Sequence, residues 1–359
     1  MALDRVRAIN VAAAAKESAY GTAATIDRLL RVNTGSIPNL AVQTINDQDK
    51  IGGEEEITDV DVIAKSGSFD MGINRVKPDG LAFVAGFGMG AVATAAADTG
   101  TPATVVEQHA ITPMVSDAQI SFTFEGVTTA SIKKLYKGGL INSFTLRVNR
   151  GANRFINLNA NVLFDGTEGT AGSAQTEKAE SPLNAAATTG VFIGTAPASG
   201  METAGNRSQD LDPASSDLAA TPTNISSTLR SLEWTFNNNI NPDDLYLIGG
   251  GLTFGKGERT ARTQQVTLTF DYTDQTEVDR LLNQTDVALE LIVRGDESST
   301  DSGYYHGAHL ILPKLRWADV RVAEEGGRLV NQITADVLQD ATFGSAILDV
   351  FNEQAAYAA

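Results

Sequence analysis

Cysteine is absent from this 359-residue chain, which excludes disulfides and thiolate metal sites. Histidine occurs only three times, at His109, His306 and His309. Positive charge is also scarce: 27 Lys and Arg stand against 44 Asp and Glu, a net charge of -17. A field of that sign repels nucleic acid and anionic membranes, and the basic stripe of a sequence-reading DNA binder is missing. Long apolar runs are lacking too. Ala12 to Ala15 is too short to span a membrane, and Met1-Ala2-Leu3-Asp4-Arg5 carries an acid where a signal peptide needs only positive charge. Neither a signal peptide nor a transmembrane segment is expected.

What is present is β pattern. Ile156, Leu158, Ala160, Val162 and Phe164 alternate with Asn157, Asn159 and Asn161. Val266, Leu268, Phe270 and Tyr272 alternate with Thr267, Thr269, Asp271 and Thr273, and Val287 to Val293 repeats the theme. Period two with one apolar side predicts half-buried antiparallel strands. Gly151 and the Gly326-Gly327 pair fall between such runs and read as hairpin turns. Two helices are expected. One runs from Leu81 to about Val92, opened by Pro78 and Asp79 and rich in glycine. The other is capped at Asp274, with Glu277 three residues on and a buried face of Val278, Leu281 and Leu282.

The chain also resembles itself. Ile45-Asn46 followed by Ile51-Gly52-Gly53 matches Ile240-Asn241 followed by Ile248-Gly249-Gly250. Ser68-Phe69-Asp70-Met71 matches Thr269-Phe270-Asp271-Tyr272, and Leu146-Arg147-Val148 matches Val320-Arg321-Val322. Arg154 to Asn157 matches Arg328 to Asn331; Ala160 to Asp165 follows Ala335 to Asp340 after a one-residue slip. Five weak matches in one order predict a duplication, with copies at 1–165 and 225–359. Arg147 should then overlay Arg321, and Asn157 should overlay Asn331. Residues 166–224, rich in Gly, Ala, Ser, Thr and Pro, read as a flexible linker or surface insertion, with one short strand at Gly190 to Thr195. That composition is not expected to support a buried core.

Catalytic and ligand-binding patterns do not survive inspection. Gly250, Gly255 and Lys256 have phosphate-loop spacing, but Gly257 stands where magnesium ligation needs Ser or Thr. Gly86, Gly88 and Gly90 lack dinucleotide-fingerprint spacing and suit close packing. His306 and His309 lie three apart on a strand or loop and face opposite ways. Glu54-Glu55-Glu56 share one environment, whereas acid–base pairs need two. Trp234 and Phe236 recur at strand period and read as core. No residue is assigned a catalytic, cofactor-binding or metal-ligating role, and no cofactor is expected.

Several short segments, taken in order, resemble the major tail tube protein family of long-tailed (siphovirus-type) bacteriophages. They are Tyr20-Gly21-Thr22; Ser66-Gly67-Ser68-Phe69 followed by a helix with Gly86 to Gly90; Tyr136 to Phe144 with its Asn142-Ser143; Trp234 to Asn239; and Gly344 to Ile347 with Asn352. The resemblance covers most of the chain outside 166–224. It implies a mainly β fold: two tandem tail-tube-like antiparallel β-sandwich or barrel domains, each flanked by one short α-helix. It also implies a structural, non-enzymatic virion protein made in the host bacterial cytoplasm, whose rings stack head to tail into the conduit for DNA ejection. The partners it implies are other copies of the chain, a tape measure protein in the lumen, and tail terminator and tail tip proteins. DNA would pass without specific binding, and no membrane is involved. Two domains per chain predict a trimeric, pseudo-hexameric ring, with a hexamer as the alternative. The rival readings are another self-assembling virion or surface-layer protein, such as a capsid decoration, and a carbohydrate-active β-sandwich enzyme.

Overall fold

A computed structural model describes residues 10–33, 36–46, 59–97, 102–116, 119–127, 133–149, 154–165, 168–170, 177–185, 189–198, 211–241 and 258–355, with 246, 252, 255 and 357. The chain is mainly β. Its alternating segments form one long antiparallel sheet whose apolar side is covered by two further sheets and a helix.

The long sheet is ordered β3 (Asn39–Asn46), β4 (Val60–Ile73), β9 (Asn157–Phe164), β8 (Lys133–Asn149), β13 (Leu229–Asn237), β14 (Thr263–Asp271), β17 (Arg328–Val337) and β16 (Tyr305–Glu325). Its pairings are unbroken, and β8 meets β13 in the middle with Thr145 opposite Thr235. Strands β8 and β16 are long enough to leave this sheet at their N-terminal ends and enter the cover sheets. The first cover sheet is β2 (Ile26–Arg31), β1 (Asn10–Lys16), β7 (Phe122–Val127), β8 and β10 (Glu168–Thr170). The second is β12 (Thr223–Asn224), β11 (Thr189–Gly194), β15 (Val287–Glu297), β16 and β18 (Ile347–Asn352). It is extended past β18 by β6 (Glu107–Pro113) and β5 (Gly90–Ala96).

The pairings of the first half recur in the second. In order, β1, β2, β3, β4, β7, β8, β9 and β10 stand to one another as β11, β12, β13, β14, β15, β16, β17 and β18 do. Each half also carries a helix after its fourth strand: α1 (Pro78–Met89) and α2 (Thr276–Leu282). Among the described residues, the β5–β6 hairpin is the part without a counterpart. Even the bulges agree, lying between Ile141 and Ser143 in β8 and between Trp317 and Asp319 in β16. Aligned on those bulges, Arg321 falls with Thr145 rather than Arg147, and Asn331 with Leu158 rather than Asn157. The letter match is two residues out on β8, where polar residues repeat every second position, and one residue out on β9, which puts it on the opposite face.

Several expectations change. Residues 166–224 are no loose insertion where described. Leu183, Val191 and Ile193 enter the main core, and Phe192, Leu211 and Leu218 enter a second one. β11 and β12 stand in pairing positions like those of β1 and β2. α1 starts earlier than expected, at Pro78, whose fixed φ suits a first turn. It ends at Gly90, where φ is 94°, and the chain continues as β5. Gly88 is required for packing: a Cβ there would lie 2.9 Å from the Phe144 ring. In α2, Leu282 is 73% exposed and Glu277 is buried instead, accepting from Trp317 Nε1 at 2.8 Å. The Gly326-Gly327 turn has φ of 61° and 78°, as a tight hairpin with two left-handed residues needs. Gly151, Ile51 to Gly53 and Ile248 to Gly250 lie outside the described residues.

Candidate functional site: a polar sheet face with two open edges

Alternation gives the long sheet two chemically distinct sides. Leu146, Leu232, Trp234, Leu268 and Ile333 point into the core at 2% exposure or less. Their neighbours point the other way. Reading across the sheet, Asn157 pairs Arg147, Arg147 pairs Glu233, Glu233 pairs Thr267, Thr267 pairs Thr334 and Thr334 pairs Asp319. The next row runs Gly72, Asn159, Thr145, Thr235, Gln265 and Asp336. The face is thus mostly amide and hydroxyl, and several of its charged groups have local partners. Arg147 Nε donates to Glu233 at 2.8 Å, Asn161 Nδ2 to Asp70 at 2.9 Å, and Arg321 Nε lies 2.7 Å from Asp319. A groove of about 470 Å³ opens on it, lined by Asn33, Asn74, Arg147, Asn159 and Glu233 among others.

The two ends of this sheet are open strands. Among the described residues β3 pairs with β4 alone, and residues 316–325 of β16 pair with β17 alone. Beyond the sheet, β3 and residues 60–66 of β4 continue as a two-stranded arm, since β9 reaches β4 only from Gly67 on. Val42, Ile45, Val60 and Ile63 on this arm are each at least half exposed. Unpaired edges and clustered exposed apolar side chains are the features a subunit hides on assembly.

The middle joint between the halves is built by asparagines. Asn142 is the residue at the β8 bulge. Its carbonyl accepts from Asn238 N at 2.8 Å, and its side-chain oxygen accepts from Ile240 N at 2.8 Å. Asn238, fully buried, donates through Nδ2 to the carbonyls of Gly88 and Ile141 at 2.8 and 3.0 Å. The Asn-Ser and Asn-Asn segments, and the glycine-rich helix, therefore meet at one point. Likewise Tyr20-Gly21-Thr22 meets Tyr136-Lys137-Gly138 around Glu17, which accepts from Gly21 N, Ser121 Oγ, Thr123 Oγ1 and Gly138 N at 2.8 to 2.9 Å. Glu17 escaped the sequence reading, because an acid outside any charge pattern gives no signal of burial.

The residues weighed for chemistry separate. His109 is a core histidine between Thr94 Oγ1 and Asn352 Oδ1, and burial lowers its pKa to about 4. His306 and His309 each meet a different carboxylate, Glu353 at 3.3 Å and Glu290 at 2.6 Å. Trp234 and Phe236 pack on Phe144 in the core. Gly86 and Gly88 lie within α1 against Val92 and Phe144, and the Gly90 C-cap lies against Met114. Glu54 to Glu56, Gly250, Lys256 and Gly257 lie outside the described residues. A cavity of about 270 Å³ lined by Val148, Arg154, Thr189, Ser227 and Arg230 has no Asp or Glu in its described lining. No helix among the described residues is long and apolar enough to cross a membrane.

An extended sheet, polar on one side and open at both ends, defines a strand-rich assembly subunit. Comparison with protein families makes this particular: the phage tail tube protein family model matches residues 8–337, and the chain belongs to that family. It is a structural tail tube protein of the virion, one of the tail components that assemble into tube rings with other tail proteins. No curated protein sequence matches the chain.

Proposed function

We propose that three copies of this chain close into one ring of the tail tube, with its two halves alternating as duplicated tube domains about a DNA-wide pore. The observation that carries this is the internal joint. Each half gives four strands to the long sheet, and β8 of the first half joins β13 of the second. By the repeated pairing order, β16 stands where β8 does and β3 where β13 does, and those are the two open edges. Edge β16 of one chain then meets β3 of the next as β8 meets β13. Eight strands from each of three chains give a closed barrel of about 24, in which strand number sets the diameter. Six half-chains turning about 60° each complete the circle. The pore wall is the amide and hydroxyl face, on which Arg147 pairs with Glu233 and Arg321 with Asp319. Such a wall gives phosphates little to grip, which suits DNA sliding outward.

The apolar arm of β3 and β4 lies beyond the ring wall and suits contact with another subunit in head-to-tail stacking. A tape measure protein fills the pore before DNA, and terminator and tip proteins close the two ends. Assembly proceeds in the host cytoplasm without membrane or cofactor. A second arrangement is a hexamer with one half at the pore and the other outside. The shared sheet argues against it, because both halves turn their polar sides to one surface.

The native chain lacks cysteine, so an engineered pair reports cleanly. Carrying the β8–β13 register over sets Asn39 of one chain opposite Arg321 of the next, as Thr235 lies opposite Thr145. Assembled Asn39→Cys/Arg321→Cys protein should oxidise to a covalent species of three chains and no larger. A ladder reaching six chains would give the hexamer, and no cross-linking in intact tubes would reject this joint.

A further inference from the structure

The outward side of the second cover sheet holds an unusual set of buried polar groups. Glu290 on β15 is fully buried, directly opposite Phe192 and Ile311. His309 on β16 is 6% exposed, and its Nε2 lies 2.6 Å from Glu290 Oε1. Above them passes the 211–221 segment, seated by Leu211 and Leu218 in the apolar cluster on this side. Its Asp217 brings a third group. The ligand atoms of Asp217, Glu290 and His309 all lie within 4.8 Å of one another. Ser216 Oγ and Asp217 N also donate to Glu290, which fixes the segment over the carboxylate.

Two further residues extend the row. Asp349 on β18 stands directly across from His309 and is fully buried. Gln108 on β6 shares that side of the sheet, because it faces Phe351 while Ala110 faces Asp349. It is 1% exposed, and neither its amide nitrogen nor its amide oxygen has a hydrogen-bond partner among the described residues. Two buried carboxylates, Glu290 and Asp349, and the buried His309 imidazole therefore share one side of the sheet under the partly exposed Asp217, beside a buried amide whose side-chain atoms have no hydrogen-bond partner among the described residues. Burying that much negative charge is costly unless a cation balances it. Two carboxylate oxygens and one imidazole nitrogen from three separate elements are a donor set suited to Zn(II) and similar divalent ions.

We propose that Asp217, Glu290 and His309 bind one divalent transition-metal ion, which clamps the 211–221 segment to the β15–β16 hairpin. Bound there, the ion replaces the direct His309–Glu290 hydrogen bond, with Asp217 closing over it. The site stiffens the outward side of the second half and takes no part in the pore wall. The sequence reading, which assigned no metal ligand, compared His306 with His309. The partners instead come from strands and a loop remote in sequence.

The test uses untagged full-length protein, stripped with a chelator and titrated with Co(II) alone. One Co(II) per chain is expected, with visible d–d absorption of a low-coordinate N/O site, displaced by Zn(II). Asp217→Asn keeps the His309–Glu290 pair and the fold, and should weaken binding at least tenfold. His309→Gln should abolish the absorption, while His306→Gln, which alters the separate His306–Glu353 contact, should leave it unchanged. Absence of stoichiometric binding by the folded wild type would overturn the proposal. Binding that survives in folded Asp217→Asn and His309→Gln, or falls only in His306→Gln, would overturn it equally.

Discussion

The two halves share one order of strand pairings yet treat their helices in opposite ways. α1 has twelve residues, every one buried. α2 has seven, of which only Glu277 is buried. The difference follows from what was added around them. After α1 the first half inserts the β5–β6 hairpin, which docks on β18 of the second half and roofs the helix. Residues 177–185 strap its N-terminus, where Glu180 accepts from Asp79 N at 3.0 Å and Leu183 N donates to Val76 O at 2.7 Å. Tyr357 closes the same end against Asp79 and the Arg28 guanidinium. Among the described residues no such roof covers α2, which rests on β16. Strand pairing is thus the constant part of this fold. The helix is adjustable, becoming core where neighbouring segments cover it and surface where they do not.

The comparison is sharpest in stability. Phe83 of α1 packs on Phe87 and Phe122 at ring separations of 4.7 and 5.1 Å. Phe83→Ala should cost about 3–5 kcal/mol in chemical denaturation, through lost burial and a cavity. Leu282→Ala in α2 should change stability by less than about 0.5 kcal/mol. Equal losses would break the contrast between the helices.

A second measurement probes the strap over α1. Burial and the nearby Asp79 carboxylate raise the pKa of Glu180 to about 7 from an ordinary 4.5. The folded chain therefore holds a proton that the unfolded chain releases. The stabilising share is complete below pH 4.5 and is lost as pH rises toward 7. Glu180→Gln should remove up to roughly 3 kcal/mol of that decline, seen as a flatter stability–pH curve over the same interval. An unchanged curve would mean that the strap opens to water. The smallest effect belongs to the polar face of the long sheet. Arg147 and Glu233 bridge the two halves but remain partly exposed, so Arg147→Ala should cost less than about 1 kcal/mol in the same denaturation assay. A larger loss would assign the joint to this ion pair instead of to Asn142 and Asn238.

Much of the architecture was legible in the sequence, for a local reason. Period-two alternation in β9, β14 and β15 is written directly in neighbouring residues, as is the Gly326-Gly327 turn. In the second cover sheet the strands at β11 and β15 were legible, but their pairing was not. β11 lies in a Gly- and Ala-rich stretch, and its Val191 and Ile193 become core only because β15 supplies the edge on which they pair. The bulge equivalence was hidden as well, since Arg147 and Arg321 match by letter although they stand two residues apart in register. The outer face of the long sheet was readable as polar, but the pairing of Arg147 with Glu233 depends on strands far apart in sequence.

The sequence by itself determined that this chain builds polar-faced β strands in two similar runs, because side-chain alternation is a property of adjacent residues. It also determined that disulfides are excluded, since the chain has no cysteine. Only the tertiary structure decided which strands adjoin, that β8 and β13 fuse the halves into one sheet, and that α1 is buried while α2 is not. Those outcomes rest on hydrogen bonds and packing between segments separated by tens to hundreds of residues, whose meeting no local pattern records.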